Sequence, residues 1–240
     1  MVLPVILGTL ASAGASISSA VGSIGTALSS FAATIAPTLG PLLATLKIYV
    51  ERLVMFANVF LQLLDILKPG ESIEDFGNRA LQAAEKGIKI DDYENFDAYM
   101  AAQRNFQPDP EISAKYDTVA KLIAGLGICT IGVENKFNAK RGSLNTLWLL
   151  PLVNPGYFTP ERMQGWLAAG KLGVDILAYL DKRLSDGEAR SFENSLESGA
   201  DGRRMSGDDL DQLYAALDDA REQWSYISQK MKDKDGSQGG

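Results

Sequence analysis

The chain has 240 residues, of which 46% are hydrophobic, with a net charge of −7 and no histidine. This composition excludes wholesale disorder and argues against nucleic-acid binding, which needs clustered Lys and Arg. The absence of histidine removes the usual general base and the commonest transition-metal ligand, so catalysis and metal binding lose their main candidates.

The N-terminal segment carries no charged side chain from Met1 to Leu46. Within residues 8–36 the large apolar residues recur at helical spacing on one stripe, and most other positions are Gly, Ala, Ser or Thr. Small residues at every fourth position let a second helix approach closely. We therefore predict a helix over 8–36 whose packing and oligomerisation surface comprises Gly14, Ser18, Gly22, Ile17, Val21, Ile24, Leu28 and Phe31.

A second helix is predicted over 41–67, after a corner formed by Pro37 and the pair Gly40-Pro41. Its polar residues form one narrow line, and the rest of its circumference is apolar. A polar face this thin is typical of a core helix, a helix buried by a partner, or a membrane helix lining something wet. This polar stripe comprises Lys47, Glu51, Asn58, Gln62 and Asp65, with Arg52 beside it.

The chain after Lys68-Pro69-Gly70 has the caps and breaks of ordinary soluble helices, with a short extended segment at 147–153. We predict an all-α fold: a multi-helix bundle with a long apolar N-terminal helical hairpin. The predicted units are the hairpin (1–67), a soluble helical body (70–231) and a flexible tail (232–240). The helices predicted in the body cover 73–86, 91–105, 110–133, 160–184, 187–198 and 207–231.

Three interpretations compete for residues 1–67. A cleaved secretory signal is disfavoured, because no basic region precedes the apolar run and the run is too long. Membrane insertion fits an uncharged run that exceeds the roughly 20 residues needed to span a bilayer. Burial against copies of the chain or against other proteins fits the small residues equally well. A segment stored in an assembly and later delivered to a membrane would combine the last two.

Chemistry-bearing motifs are missing from the sequence, so we predict no catalytic residue, no cofactor and no metal. Asp201, Asp208 and Asp209 lack the alternating ligand positions and closing Glu of an EF-hand loop. The glycines of 125–132 form no nucleotide-binding loop. Cys129 lies in an apolar run and is predicted to be a small buried side chain.

In composition, residues 8–67 resemble the Gly/Ala/Ser-rich hydrophobic segments of viral or phage penetration proteins and of secreted pore-formers. We expect a non-enzymatic component of a larger assembly, such as a virion or a secretion or injection apparatus. Its partners would be other protein subunits, in a homo-oligomer or hetero-assembly, and a membrane, without nucleic acid. The alternative is a secreted pore-forming effector toxin; a soluble enzyme with a hairpin anchor is less favoured.

Overall fold

The computed structural model describes residues 9–198 and 203–236, and within these ranges every regular element is a helix, as predicted. Two short 3-10 helices, Thr26–Leu28 and Ile90–Asp92, accompany the α-helices. The α-helices are α1 (Thr9–Ser23), α2 (Ser29–Thr34), α3 (Ala36–Thr45), α4 (Lys47–Leu63), α5 (Ile73–Glu85), α6 (Phe96–Asn105), α7 (Pro110–Ser113), α8 (Thr118–Lys136), α9 (Leu149–Val153), α10 (Pro160–Ala168), α11 (Ile176–Leu180), α12 (Asp186–Leu196) and α13 (Gly207–Gly236).

The helix predicted over 8–36 is interrupted at Gly25. Gly25 is buried, and a Cβ atom there would lie 2.6 Å from Cγ2 of Ile90 and 2.8 Å from Oδ2 of Asp91. The Ile90 amide donates a hydrogen bond to the Ile24 carbonyl at 3.1 Å. A loop distant in sequence therefore fills the space beside the interruption, a contact that helical spacing cannot reveal.

The predicted corner at Pro37 and Gly40-Pro41 is in the wrong place, because α2 and α3 meet at Ile35 and α3 continues through Pro41. Pro37 occupies the first turn of α3, where a missing N–H costs no intrahelical hydrogen bond. Pro41 lies inside α3 and removes one such bond there, and the neighbouring Leu42 is buried in the core.

The helix predicted over 41–67 is divided between α3 and α4. The break is at Leu46, whose φ of −121° and ψ of 79° are not helical. α4 ends at Leu63 rather than at Leu67, and Asp65 adopts a left-handed conformation with a φ of 55° just beyond it.

The body helices predicted over 73–86 and 187–198 are confirmed as α5 and α12. The helix predicted over 110–133 is instead α7 and α8, because Asp117 accepts a hydrogen bond from the Ala120 amide at 2.6 Å and caps a new helix. The helix predicted over 160–184 is likewise α10 and α11, separated by a turn whose Gly170 has a φ of +70°.

Three further boundaries differ from the predictions. The helix predicted over 91–105 begins only at Phe96, and the segment 147–153, predicted as extended, contains helix α9. α13 continues through Gly236, so the first residues of the predicted flexible tail are helical, and 237–240 lie outside the described residues.

One hydrophobic core includes side chains of the predicted hairpin and of the predicted body. It extends in sequence from Ile17 in α1 to Ile227 in α13. α8 lies at its centre, and every residue from Leu122 to Val133 is buried. α1 and α3 pack against each other and against α8. The predicted boundary between hairpin and body, near residues 67–70, marks a change in composition. That the two segments have different functions stays a prediction.

α5 and α8 approach each other closely. A Cβ atom on Gly77 would lie 1.8 Å from the carbonyl oxygen of Lys121, and one on Gly125 would lie 2.1 Å from that of Ile73. Each helix therefore presents a glycine to the backbone of the other. Close packing through small residues, predicted for α1, is found here inside the body.

Candidate interaction surface

The large apolar residues predicted to mediate oligomerisation lie inside the chain. Ile17 is 4% exposed and Phe31 is 2% exposed, and the others of this set are at 0%. A Cβ atom on Gly127 of α8 would lie 3.0 Å from Phe31 and 3.1 Å from Leu28. In the folded chain these side chains are already packed against α8 and its neighbours. Their role in contacts with other subunits stays a prediction. The fully buried members of this set are Val21, Ile24 and Leu28.

The small residues of the predicted packing surface have mixed environments. Gly14 lies in α1, and its burial is outside what the structure describes. The Ser18 hydroxyl is buried, with no hydrogen-bond partner in the described part of the chain. A Cβ atom on Gly22 would meet nothing within 4 Å. Close approach of a second helix is therefore not required at Gly22 in the folded chain.

The polar stripe of α4 lies at the protein surface. Lys47, Glu51, Gln62 and Asp65 are exposed, while Asn58 is half-buried. The Asn58 side-chain oxygen accepts a hydrogen bond from the Ile73 amide at 2.8 Å, which attaches α4 to the first residue of α5. α4 is thus a surface helix rather than the fully enclosed core helix that its composition also allowed.

Beside the polar stripe, α4 exposes a second line of side chains, which we call the apolar strip. Their exposed fractions are 56%, 71%, 54% and 39% for Ile48, Met55, Val59 and Leu63. At about 100° per residue, the strip occupies an arc of roughly 80° directly adjoining the polar stripe. In the described part of the chain, the other exposed large hydrophobic side chains are two tyrosines of α13. The strip is therefore the main apolar surface available for docking.

Sequence reasoning missed the apolar strip because it assigned all apolar positions of α4 to one continuous hidden face. Arg52 was the available signal. Its charge falls within the arc of the strip, and an arginine at that position indicates that this side of the helix reaches water.

Aromatic rings border the strip on the side opposite the polar stripe, and a basic side chain lies over each ring. The guanidinium of Arg52 lies 5.4 Å from the centre of the Tyr49 ring, and Lys230 Nζ lies 5.3 Å from that of the exposed Tyr226. Burial raises the pKa of Tyr49; Arg52 opposes this, and the nearby Tyr226 hydroxyl adds to it.

The C-terminal end of α4 is held by two basic side chains. Lys136 Nζ donates a hydrogen bond to the Leu64 carbonyl at 2.7 Å, and Arg104 donates one to the Ile66 carbonyl at 3.0 Å. Arg104 also forms an ion pair with Glu71 at 2.8 Å. Partial burial acts to raise the pKa of Glu71, but the hydrogen bonds from Arg104 and from the Lys68 amide outweigh it, so this pKa lies below its usual range.

A cleft of about 860 Å³ lies between this end of α4, the loop before α6 and the end of α8. Its charged groups are largely engaged within the chain. Asp91 accepts hydrogen bonds from the Thr26 and Ala27 amides, and the buried Glu134 accepts one from the Leu144 amide at 3.1 Å. Burial raises the pKa of Glu134. No group of three or more metal-ligating side chains is found among the described residues.

By length and composition, α8 is long enough to cross a membrane. The segments Thr26–Thr34 and Ala36–Thr45 would together form a second candidate, bent by 58°. Of the apolar window in α8, 78% is buried inside the folded chain, which is the usual environment of a core helix.

Comparisons with protein-family models, with curated proteins and with solved structures find no match to this chain.

Proposed function

We propose that the chain is a non-enzymatic helical component of a larger assembly, such as a virion or a secretion or injection apparatus. Residues 1–67 act as a hairpin-like unit in oligomerisation and membrane contact. The observation that carries the proposal is the apolar strip, which leaves Met55 71% exposed at the centre of a surface helix.

The strip is unlike the scattered apolar exposure of an ordinary surface, because its four members follow one line along a single helix. Covering the exposed part of each side chain would contribute about 1 kcal/mol. The buried face of α4 packs against α3 and, from the predicted body, against α5, α8, α9 and α10. These helices hold α4 in place with the strip facing outward.

Surface substitutions test this proposal better than removal of residues 1–67, which would expose the apolar surface of α8. The double variant Met55→Glu/Val59→Glu places two charges in the strip, and Ala101→Glu adds one charge at an exposed position of α6 as a matched control. We expect wild type and the control to self-associate in sedimentation velocity and to bind phospholipid vesicles. The double variant should lose both. Equal assembly and vesicle binding by all three proteins would refute the proposal.

The alternative, a pore-forming effector, is supported by the span-length helix α8 and the bent pair formed by α2 and α3. A pore-former must release such helices from its core when it reaches a bilayer. Dye release and single-channel recording from liposomes test this alternative. Discrete conductance steps from the purified chain would favour it over an assembly component.

A further inference from the structure

We propose that a second copy of the chain covers the apolar strip, with the two α4 helices packed antiparallel about a two-fold axis that passes between Met55 and Phe56. This inference rests on the proposed role of residues 1–67 in oligomerisation and names the partner.

The ends of the strip lie at equal distances from its most exposed member. Ile48 and Leu63 are its ends, and the point midway between them in sequence lies beside Met55, its most exposed member. In an antiparallel pair centred there, Ile48 faces Leu63 of the partner subunit, Val59 faces Arg52 of the partner subunit, and the two copies of Met55 meet at the axis. The strip is about 22 Å long, so the same apolar surface is used on both subunits, as a two-fold interface requires.

The two ends of the strip carry opposite charges. Lys47 is the first residue of α4, and Asp65 lies just beyond the end of α4 in a left-handed conformation. The midpoint in sequence between Lys47 and Asp65 lies within one residue of the midpoint between Ile48 and Leu63. The Asp65 side chain is 91% exposed, and its ion pair with Lys136 is long, at 3.7 Å. In the antiparallel pair, Lys47 lies opposite Asp65 of the partner subunit, and the reverse pair forms at the other end.

The charged ends favour an antiparallel over a parallel arrangement. A two-fold axis perpendicular to both helices places the two polar stripes on the same side of the interface, where Lys47 and Asp65 of the partner subunit can meet. An axis parallel to the helices would place the stripes on opposite sides. Antiparallel packing also brings the positive end of each helix dipole near the negative end of the other.

Arg52 lies within the arc of the strip, and its position over the Tyr49 ring explains how the pair accommodates it. The guanidinium is turned toward Tyr49 and can keep its charge in water while its methylene groups add apolar contact. The exposed area of the strip alone is smaller than that of a standard interface, which buries about 800 Å² per partner. We therefore expect a concentration-dependent dimer.

Thiol crosslinking tests the position of the axis. The native Cys129 is buried and burial raises its thiol pKa to about 12, so it does not compete. Met55→Cys should crosslink efficiently with a short bifunctional thiol reagent. Ile48→Cys, in a similarly exposed position, should not crosslink to itself, but it should crosslink to Leu63→Cys when the two variants are mixed. Strong self-crosslinking of Ile48→Cys with none by Met55→Cys would overturn the proposed register.

Charge reversal tests the antiparallel pairing independently. Lys47→Glu alone and Asp65→Lys alone should each weaken dimerisation by roughly tenfold, because two attractive pairs become repulsive. Mixing the two variants restores opposite charges at both ends and should restore dimerisation to near the wild-type level. Thermal unfolding of each variant confirms that it is folded.

The outcomes separate this inference from the proposed function. If Met55→Glu/Val59→Glu abolishes self-association but mixing does not rescue the charge variants, the antiparallel register is wrong and the assembly role stands. If the strip variants lose only vesicle binding and Met55→Cys stays uncrosslinked, a membrane covers the strip and the second copy is excluded. If the strip variants change neither property, both proposals fail.

Discussion

The Asp91 carboxylate caps the 3-10 helix at Thr26 from a loop 65 residues away in sequence. It accepts hydrogen bonds from the Thr26 amide at 2.5 Å, from the Thr26 hydroxyl at 2.9 Å and from the Ala27 amide at 3.1 Å. This contact attaches the N-terminal helices to the body of the protein, and it satisfies amide groups that the interruption at Gly25 leaves without helical partners.

Replacing Asp91 with Ala should therefore lower the free energy of unfolding by about 1–2 kcal/mol, the usual effect of losing a helix cap. Asp91→Asn, which retains an acceptor, should lose less. Urea denaturation of both variants measures the effect, with Glu94→Ala, an exposed carboxylate on the same loop, as the control. Equal stability of the Asp91→Ala and Glu94→Ala variants would show that the cap contributes nothing.

The crossing of α5 and α8 should be intolerant of a single methyl group. Gly77→Ala and Gly125→Ala would each place a Cβ atom within 2.1 Å of a backbone carbonyl oxygen, so we expect a loss of more than about 3 kcal/mol or failure to fold. Gly187→Ala in α12 meets open space and should be neutral or stabilising by up to about 1 kcal/mol. Thermal unfolding of the three variants provides the comparison, and a Tm near wild type for Gly77→Ala would contradict the observed packing.

Glu134 should make the folded chain more stable as the pH falls. Burial raises its pKa, so the folded state binds a proton more readily than the unfolded state does. Stability is then lowest above the folded-state pKa and increases as the pH falls toward the unfolded value near 4.5. The wild type should thus gain stability relative to Glu134→Gln between pH 7 and pH 4. A constant difference across that range would exclude a raised pKa.

Glu71 should behave in the opposite way. Its pKa is lowered because the hydrogen bonds from Arg104 and the Lys68 amide outweigh desolvation, so its contribution is present at neutral pH and is lost as the pH falls through the folded-state pKa. Glu71→Gln should cost about 1–2 kcal/mol at pH 7 and progressively less in acid. Denaturation of this variant and wild type at several pH values is the measurement. A cost that grows in acid would show that the ion pair with Arg104 does not stabilise the fold.

Several features of this protein follow from local sequence, because local physical chemistry determines them. The all-helical class follows from the period of the apolar residues, and the start of α5 follows from Ser72, whose hydroxyl accepts a hydrogen bond from the Asp75 amide at 3.1 Å. The burial of Cys129 follows from its apolar neighbours. The exposure of Lys47 and Glu51 follows from their charge.

Other features depend on residues that are distant in sequence, so only the tertiary structure decided them. The interruption at Gly25 depends on Ile90 and Asp91, and the close helix crossing depends on Gly77 meeting α8. The apolar strip is the clearest case. Leu53 and Met55 are both apolar residues of α4, yet Leu53 is fully buried and Met55 is 71% exposed. Periodicity distinguishes polar from apolar positions along a helix, but the number of neighbouring helices determines how many of its apolar faces are covered.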